Sequence, residues 1–198
     1  MNFSTEVKQK FFSFIDQMDS YHWLFTKNPG KNFSRKKKWS FTETIRFILT
    51  MEIKSLKNEF LEYFDFSTQT LSNSSFNQRR AQILLQTLEF LFYKFTKAFH
   101  KAEDTYNEYR LLACDGSNLC IAHNPEDEST YFQSDPDSRG FNQVHLNALF
   151  DLCSRTYVDT VIQPARQKDE YKSMCQMLNR YSDSSNTIFI VDRRYENF

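Results

Sequence analysis

Two aspartates, Asp115 and Asp192, each occur in or directly after an apolar run typical of a sheet interior. Asp115 lies within "YRLLACDGSNLCIA", and Asp192 ends "NTIFIVD". Two carboxylates that come close repel one another unless a cation lies between them. Mg²⁺ and Mn²⁺ prefer carboxylate oxygens, and a pair of such ions about 4 Å apart can promote an in-line displacement at a phosphodiester. The two aspartates therefore predict a metal site, provided that the fold brings them together.

Each aspartate also has a structural interpretation. Asp115 and Gly116 form an Asp-Gly pair, which is a strong hairpin signal. Asp192 could form an ion pair with Arg193 or Arg194. These interpretations suffice for each residue alone, so the metal-site interpretation depends on the order of the surrounding strands.

The second half of the chain alternates with period two after about Thr105. "YRLLACDGSNLCIA" is apolar on both faces and predicts a central strand. "QVHLNALFDL" alternates apolar and polar residues and predicts a half-buried second strand, with His145 as a partly exposed residue of its polar face. "TYVDTVIQP" predicts a third strand, and "NTIFIVD" a fourth.

A helix is predicted between the third and fourth strands. The segment "KDEYKSMCQMLNRY" has a single helical stripe formed by Tyr171, Met174, Cys175, Leu178 and Tyr181. Short connections predict an antiparallel meander of three strands, and the helical crossover lets the fourth strand run parallel to the first. This arrangement would place Asp115 and Asp192 at adjacent positions.

The first hundred residues have helical periodicity instead. Apolar residues between Leu84 and Phe99 recur every three or four positions and predict one long helix. Ser40 with Glu43, and Ser75 with Gln78, fit the capping box at two further helix starts.

Charge divides the chain although the formal net charge is zero. Residues 1–100 contain 15 Lys and Arg against 9 Asp and Glu, and residues 101–198 contain 10 against 16. A basic half suggests contact with a polyanion, although uneven charge also arises by chance. The run Arg35, Lys36, Lys37 and Lys38 is either a solvated charge run or a set of phosphate contacts.

A second candidate for nucleic-acid contact follows the segment "SLKNEFLEYF". Together with "SSFNQRRAQI" it resembles a helix-turn-helix, with Asn77, Gln78, Arg79 and Arg80 in the first turns of the second helix. Such side chains can contact adenine and guanine edges or phosphates.

Signals for export and for metal-binding cysteines are lacking in the sequence. There is no signal peptide and no apolar segment near the ~20 residues of a membrane span, so we expect a cytoplasmic protein. Cys114, Cys120, Cys153 and Cys175 show no CxxC pairing, which predicts reduced, mostly buried thiols.

The order of these segments resembles the DDE transposases of the insertion-sequence-four type. "NFSRKKKWSFTETIRFILTMEIKSLKNEFLEYF" and "SNSSFNQRRAQI" are similar to the family's helical N-terminal region. "LLACDGSNL" and "IFIVDRRYENF" resemble the strands that bear its first two catalytic aspartates. The resemblance implies an all-α DNA-binding domain at 1–105, followed at 106–198 by an α/β, ribonuclease H-like catalytic domain with a mixed sheet.

The resemblance implies cleavage and strand transfer of DNA with two Mg²⁺ or Mn²⁺ ions. Asp115 and Asp192 match the first two acids, and Arg193 and Arg194 become candidate DNA contacts. The family's third acid is a glutamate in a downstream motif (Tyr, two residues, Arg, three residues, Glu, six residues, Lys), which this sequence lacks. We therefore expect an incomplete ribonuclease H-like domain and a truncated transposase, inactive alone, that binds double-stranded DNA at transposon ends and targets in the bacterial nucleoid.

Two other functions remain open. The chain could be a non-catalytic DNA-binding protein that competes with intact transposase for transposon ends, or a metal-dependent nuclease of the same fold. Partial coverage of the sheet predicts exposed apolar surface, which could be relieved by a homodimer.

Overall fold

A computed structural model describes residues 2–35, 39–52, 54–67, 72–99, 104–182 and 186–193. The chain divides into two compact units, Met1–Phe95 and Thr96–Phe198. None of the helices in the described ranges is long and apolar enough to cross a membrane.

The first unit is built from helices. They are α1 (Phe3–Asp19), α2 (Phe41–Thr50), α3 (Leu56–Tyr63), α4 (Asn73–Arg80) and α5 (Gln86–Phe99), whose last residues belong to the second unit, and a 3₁₀ turn at His22–Phe25. The predicted long helix is thus present, but it begins two residues after Leu84.

The ends of α2 and α4 test the two predicted capping boxes. Ser40 caps α2, and its Oγ accepts a hydrogen bond from the Glu43 N–H at 3.0 Å, as predicted. The prediction for Ser75 is wrong, because α4 begins three residues earlier and the Oγ of Ser72 accepts from the Ser75 N–H at 3.2 Å. Both serines suit an N-cap, so the sequence pattern could not choose between them.

Aromatic side chains form the core of the first unit. Trp39, Phe47, Phe60 and Phe76 are buried together. The ring centroids of Phe47 and Phe76 are 4.8 Å apart, and those of Trp39 and Phe76 are 5.1 Å apart. Such spacings are typical of edge-to-face aromatic packing, and the cluster holds α2, α3 and α4 together.

The second unit contains a mixed five-stranded sheet. Its elements are β1 (Arg110–Ile121), β2 (Tyr131–Phe132), β3 (Phe141–Asp151), β4 (Thr156–Pro164), α6 (Glu170–Arg180) and β5 (Thr187–Val191). β1 lies between β3, which is antiparallel to it, and β5, which is parallel. β4 and the short β2 both pair with the other edge of β3. The predicted meander, crossover helix and central first strand are confirmed, while β2 was not predicted.

Helix α6 packs on one face of the sheet, against β3 and β4. Met177 joins Leu112, Cys114 and Leu149 in the core beneath it. The helix is rotated relative to the predicted stripe, because Ser173 and Met177 are its most buried residues and Tyr171 is 48% exposed.

The polar side of β3 is the covered side, which corrects the sequence interpretation. His145, Asn147 and Asp151 are all buried, with at most 2% of each exposed. The alternation of β3 was predicted correctly, but its burial was reversed. Polar residues can occupy this face because several find partners there that are distant in sequence, and such partners cannot be read from a local pattern.

The cysteines are free, as predicted, but they are not mostly buried. Cys114 is buried, Cys153 and Cys175 are partly buried, and Cys120 is exposed.

Candidate functional site

Asp115 and Asp192 directly follow the last residue pair between β1 and β5. These last paired residues are Cys114 and Val191. Residues in register on parallel strands point to the same face, so the pair Ala113 and Ile190 lies opposite the α6 face. Side chains alternate between the two faces along a strand. Asp115 and Asp192 come two residues after Ala113 and Ile190, so both fall on this same open face. The predicted juxtaposition of the two carboxylates therefore agrees with the observed strand register.

A shallow groove of about 290 Å³ surrounds Asp115 on the open face. Its lining comes from three strands: Ala113, Asp115, Ser117, Leu146, Ala148, Phe150 and Tyr157. The Phe150 and Tyr157 rings meet edge to face with centroids 5.0 Å apart and form one end of the groove. The carboxylate of Asp115 is thus exposed to solvent at the centre of a mainly apolar surface.

The structural alternatives for the two aspartates can be compared with their contacts. Asp115 and Gly116 are not a hairpin turn, because β1 continues through both to Ile121. The Oδ1 of Asp115 accepts a hydrogen bond from the neighbouring Gly116 N–H, at 2.8 Å. Among the described residues, Asp192 forms no ion pair, and Arg193 beside it is exposed. Arg194 lies outside the described residues.

The donor set at this place consists of two carboxylates. Mg²⁺ and Mn²⁺ prefer carboxylate oxygens as ligands, so the chemistry of both side chains fits such an ion. Within the described ranges, no group of three or more His, Cys, Asp or Glu side chains could hold a metal ion. Two carboxylates alone could supply only part of the coordination shell of such an ion.

A second cluster, in the helical unit, brings together three of the predicted DNA contacts. Arg35, Gln78 and Arg79 line one pocket of about 370 Å³, which we call the basic pocket. Its other lining residues are Gly30, Lys31, Ser34 and Gln82. Asn77 and Arg80 do not line it, and Lys36, Lys37 and Lys38 lie outside the described residues.

The position of these residues on α4 differs from the helix-turn-helix prediction. Because α4 runs from Asn73 to Arg80, Asn77 to Arg80 form its last turns and not its first. A recognition helix reads bases mainly with its N-terminal residues, so the structure removes the argument for base reading by these four side chains. Phosphate contact does not depend on that position.

The basic pocket is held by a backbone contact that the sequence did not predict. Thr26 and Ile83 form an antiparallel bridge. The Lys27 N–H donates to the Gln82 carbonyl at 2.9 Å, and the Leu84 N–H donates to the Phe25 carbonyl at 3.0 Å. A single isolated bridge has no period in the sequence, so pattern analysis could not find it.

A buried polar group lies on the opposite, covered face of the sheet. The Nδ1 of His145 is 2.7 Å from the Asn118 Oδ1, and its Nε2 is 3.2 Å from the Glu170 Oε1. Asn147 beside it is fully buried. Gly116 leaves room for these side chains, because a Cβ there would lie 2.6 Å from the His145 Nε2. This group connects the start of α6 to the sheet.

Comparison with known proteins gave no match to a family model, to a curated protein or to a solved structure.

Proposed function

We propose that this protein acts on DNA as a metal-dependent transposase or a derivative of one. The helical unit contacts the phosphate backbone, and the sheet unit contributes Asp115 and Asp192 to a site for phosphodiester chemistry. The observation that carries the proposal is the register of β1 and β5, which makes the two aspartates neighbours on one open face.

The strand arrangement supports a ribonuclease H-like assignment for the sheet unit. Three antiparallel strands (β1, β3 and β4) are followed by a helix and by β5, which runs parallel to the first strand. In that fold, the first two catalytic aspartates belong to the central strand and to the strand parallel to it. Asp115 lies on β1, and Asp192 directly follows β5, which supports the proposal.

In this proposal Asp115 and Asp192 would bind Mg²⁺ or Mn²⁺. When bound, such ions activate a water or hydroxyl nucleophile and stabilise charge on the phosphorus oxygens. The groove around Asp115 is open and shallow, so a bulky polymer can approach the carboxylates. Arg193, exposed beside Asp192, contributes a positive charge for a phosphate at the same edge.

Metal binding by the two aspartates tests the proposal. We expect calorimetric titration with Mn²⁺ to show binding to the intact chain, and Asp115→Asn and Asp192→Asn each to weaken it by tenfold or more. Asp135→Asn, which neutralises an exposed carboxylate of the loop between β2 and β3, is the matched control and should bind as the intact chain does. Equal Mn²⁺ affinity in all three variants would refute the metal site.

A second candidate is a DNA-binding protein without cleavage activity. Two observations favour it: the described residues bring only two carboxylates together, and the basic pocket belongs to the helical unit. Incubation of a supercoiled plasmid with Mn²⁺ separates the candidates. Plasmid nicking that Asp115→Asn abolishes supports the enzyme, whereas DNA binding with no nicking supports the second candidate.

A further inference from the structure

The basic pocket contains a cation that is partly removed from water and has no counter-ion among the residues that the structure describes. Arg79 is half-buried, and burial lowers the pKa of its guanidinium. Among the described residues, no carboxylate lies within ion-pair distance of it. A desolvated charge without a partner is costly, so an anion in the pocket would be favourable.

The side chain of Arg79 is held in place by uncharged groups. Its guanidinium carbon lies 4.8 Å from the centre of the Phe33 ring, and its Nη1 donates to the Gln82 Oε1 at 3.1 Å. One flat face of the guanidinium and one N–H are thus occupied, and the remaining N–H groups are available to a ligand. A fixed guanidinium loses less conformational entropy on binding than a mobile one.

The loop that carries Phe33 has a defined conformation. Phe33 adopts a left-handed backbone (φ 57°), which is unusual for an aromatic residue, and Gly30 has φ 76°. The Asn28 N–H donates to the Asn32 Oδ1 at 2.9 Å, and the Ser34 Oγ donates to the Lys31 carbonyl at the same distance. This turn carries Lys31 and Arg35, which line the pocket together with Arg79.

We propose that the basic pocket binds a phosphate group, with Arg79 as its principal ligand and with Lys31 and Arg35 supplying further positive charge. None of its lining residues is acidic, and the side-chain amides of Gln78 and Gln82 add uncharged donors. The volume of about 370 Å³ accommodates a phosphate with part of an attached sugar. Insofar as the phosphate is a DNA phosphodiester, the inference rests on the proposed function. A free phosphate or nucleotide is the other source of the same chemistry.

The test compares neighbouring arginines of α4. Affinity for a fluorescent duplex of about 20 base pairs is measured by anisotropy at several salt concentrations for the intact chain, Arg79→Gln and Arg80→Gln. Arg80 is exposed, lies outside the pocket and carries the same charge one residue away. We expect Arg79→Gln to lose tenfold or more in affinity and to lower the salt slope by about one, and Arg80→Gln to lose less than about threefold.

Two further variants guard against a folding defect in Arg79→Gln. Lys31→Gln changes an exposed loop residue of the pocket and leaves the contact between Phe33 and Arg79 intact, so its loss of affinity cannot come from that packing. Arg79→Lys keeps the charge but not the planar donor set, and we expect intermediate affinity. Equal losses in Arg79→Gln and Arg80→Gln, or no loss in Lys31→Gln, would overturn the pocket while leaving DNA binding in place.

Inorganic phosphate and pyrophosphate distinguish the sources of the ligand. They are titrated into ¹⁵N-labelled protein, and the Nε–H resonances of the arginines are followed. The Nε–H resonance of Arg79 is the one that is absent from the spectrum of Arg79→Gln. If pyrophosphate shifts this resonance but the intact chain binds no DNA, the proposed function is wrong and the phosphate pocket is supported. If neither DNA nor these anions perturb Arg79, the inference is wrong.

Discussion

Arg110 and Asp151 form a buried ion pair between the start of β1 and the end of β3. The Nε of Arg110 lies 2.7 Å from the Oδ2 of Asp151, and both side chains are almost fully buried. Asp151 also accepts hydrogen bonds from the Cys153 and Ser154 N–H groups at 2.8 and 3.1 Å. The pair joins β1 to β3. Asp151 lies three residues along β3 from the residue that pairs with Asp115, so the ion pair helps to fix the strand that carries the candidate site.

We expect Asp151→Asn to destabilise the protein by about 3–5 kcal/mol at neutral pH, because the buried Arg110 guanidinium would lose its ion pair with Asp151. Asp16→Asn is the control, since Asp16 and its partner Arg46 are 55% and 30% exposed, and it should cost about 1 kcal/mol or less. Urea unfolding measures both. Equal costs would mean that burial of the Arg110 pair does not matter.

The same pair predicts a pH dependence. Burial acts to raise the pKa of Asp151, but hydrogen bonds from Arg110 and from the Ser154 and Cys153 N–H groups outweigh it and lower the pKa below its usual value. A lowered pKa gives stability that is present above the unfolded value of about 3.9 and is lost as pH falls through the folded value. The difference in unfolding free energy between the intact chain and Asp151→Asn should therefore be constant above about pH 5 and shrink below about pH 4. A difference that grows in acid would contradict this assignment.

We expect Gly116→Ala to destabilise the sheet by about 1–3 kcal/mol, because the new methyl group would lie 2.6 Å from the buried His145 Nε2. Ser117→Ala, the next residue on the open face, should change stability by less than about 0.5 kcal/mol. In the double variant with His145→Ala, the cost of Gly116→Ala should largely disappear, since the imidazole it meets is gone. Additive costs in the double variant would show that the clash is not the cause.

The sequence predicted those features that depend on local periodicity. The ends of β4 at Thr156 and Pro164, the cap at Ser40 and the central place of β1 all follow from patterns within one segment. The adjacency of Asp115 and Asp192 followed from strand order, which short connections and one crossover helix restrict strongly.

Features that depend on distant partners were missed. His145 is buried because Asn118 and Glu170 meet it, and neither is close in sequence. The basic pocket requires the bridge between Thr26 and Ile83 as well as the start of α4 at Asn73. A local pattern contains neither piece of information, so Arg79 was assigned to the wrong end of its helix.

Phe76 is expected to be the most sensitive position of the helical core. It is fully buried and contacts the Trp39, Phe47 and Phe60 rings. Phe76→Ala should cost about 3–5 kcal/mol through lost burial and a cavity, measured by urea unfolding with tryptophan fluorescence. Phe3→Ala removes a ring that is 68% exposed and should change stability by less than about 0.5 kcal/mol. Similar costs for the two variants would contradict the burial of this cluster.

Adjacent residues of β4 test the different environments of the two sheet faces. Ile162 is 65% exposed on the open face, whereas Val161 packs against the core beneath α6. We expect Ile162→Lys to leave the unfolding free energy within about 0.5 kcal/mol and to reduce binding of the dye ANS, while Val161→Lys destabilises by several kcal/mol. If Ile162→Lys unfolds the protein as readily as Val161→Lys, the open face is covered in solution.

The exposure of apolar side chains on the open face of the sheet also affects the temperature dependence of stability. Leu119, Ile162, Ile188 and Ile190 already contact water in the folded chain, so unfolding adds little new apolar hydration at these positions. Since the heat capacity change of unfolding arises mainly from newly hydrated apolar surface, and exposed polar groups reduce it, this unit should have a small heat capacity increment for its size. Its stability curve is then broad and flat, and stability changes little between cold and warm growth temperatures.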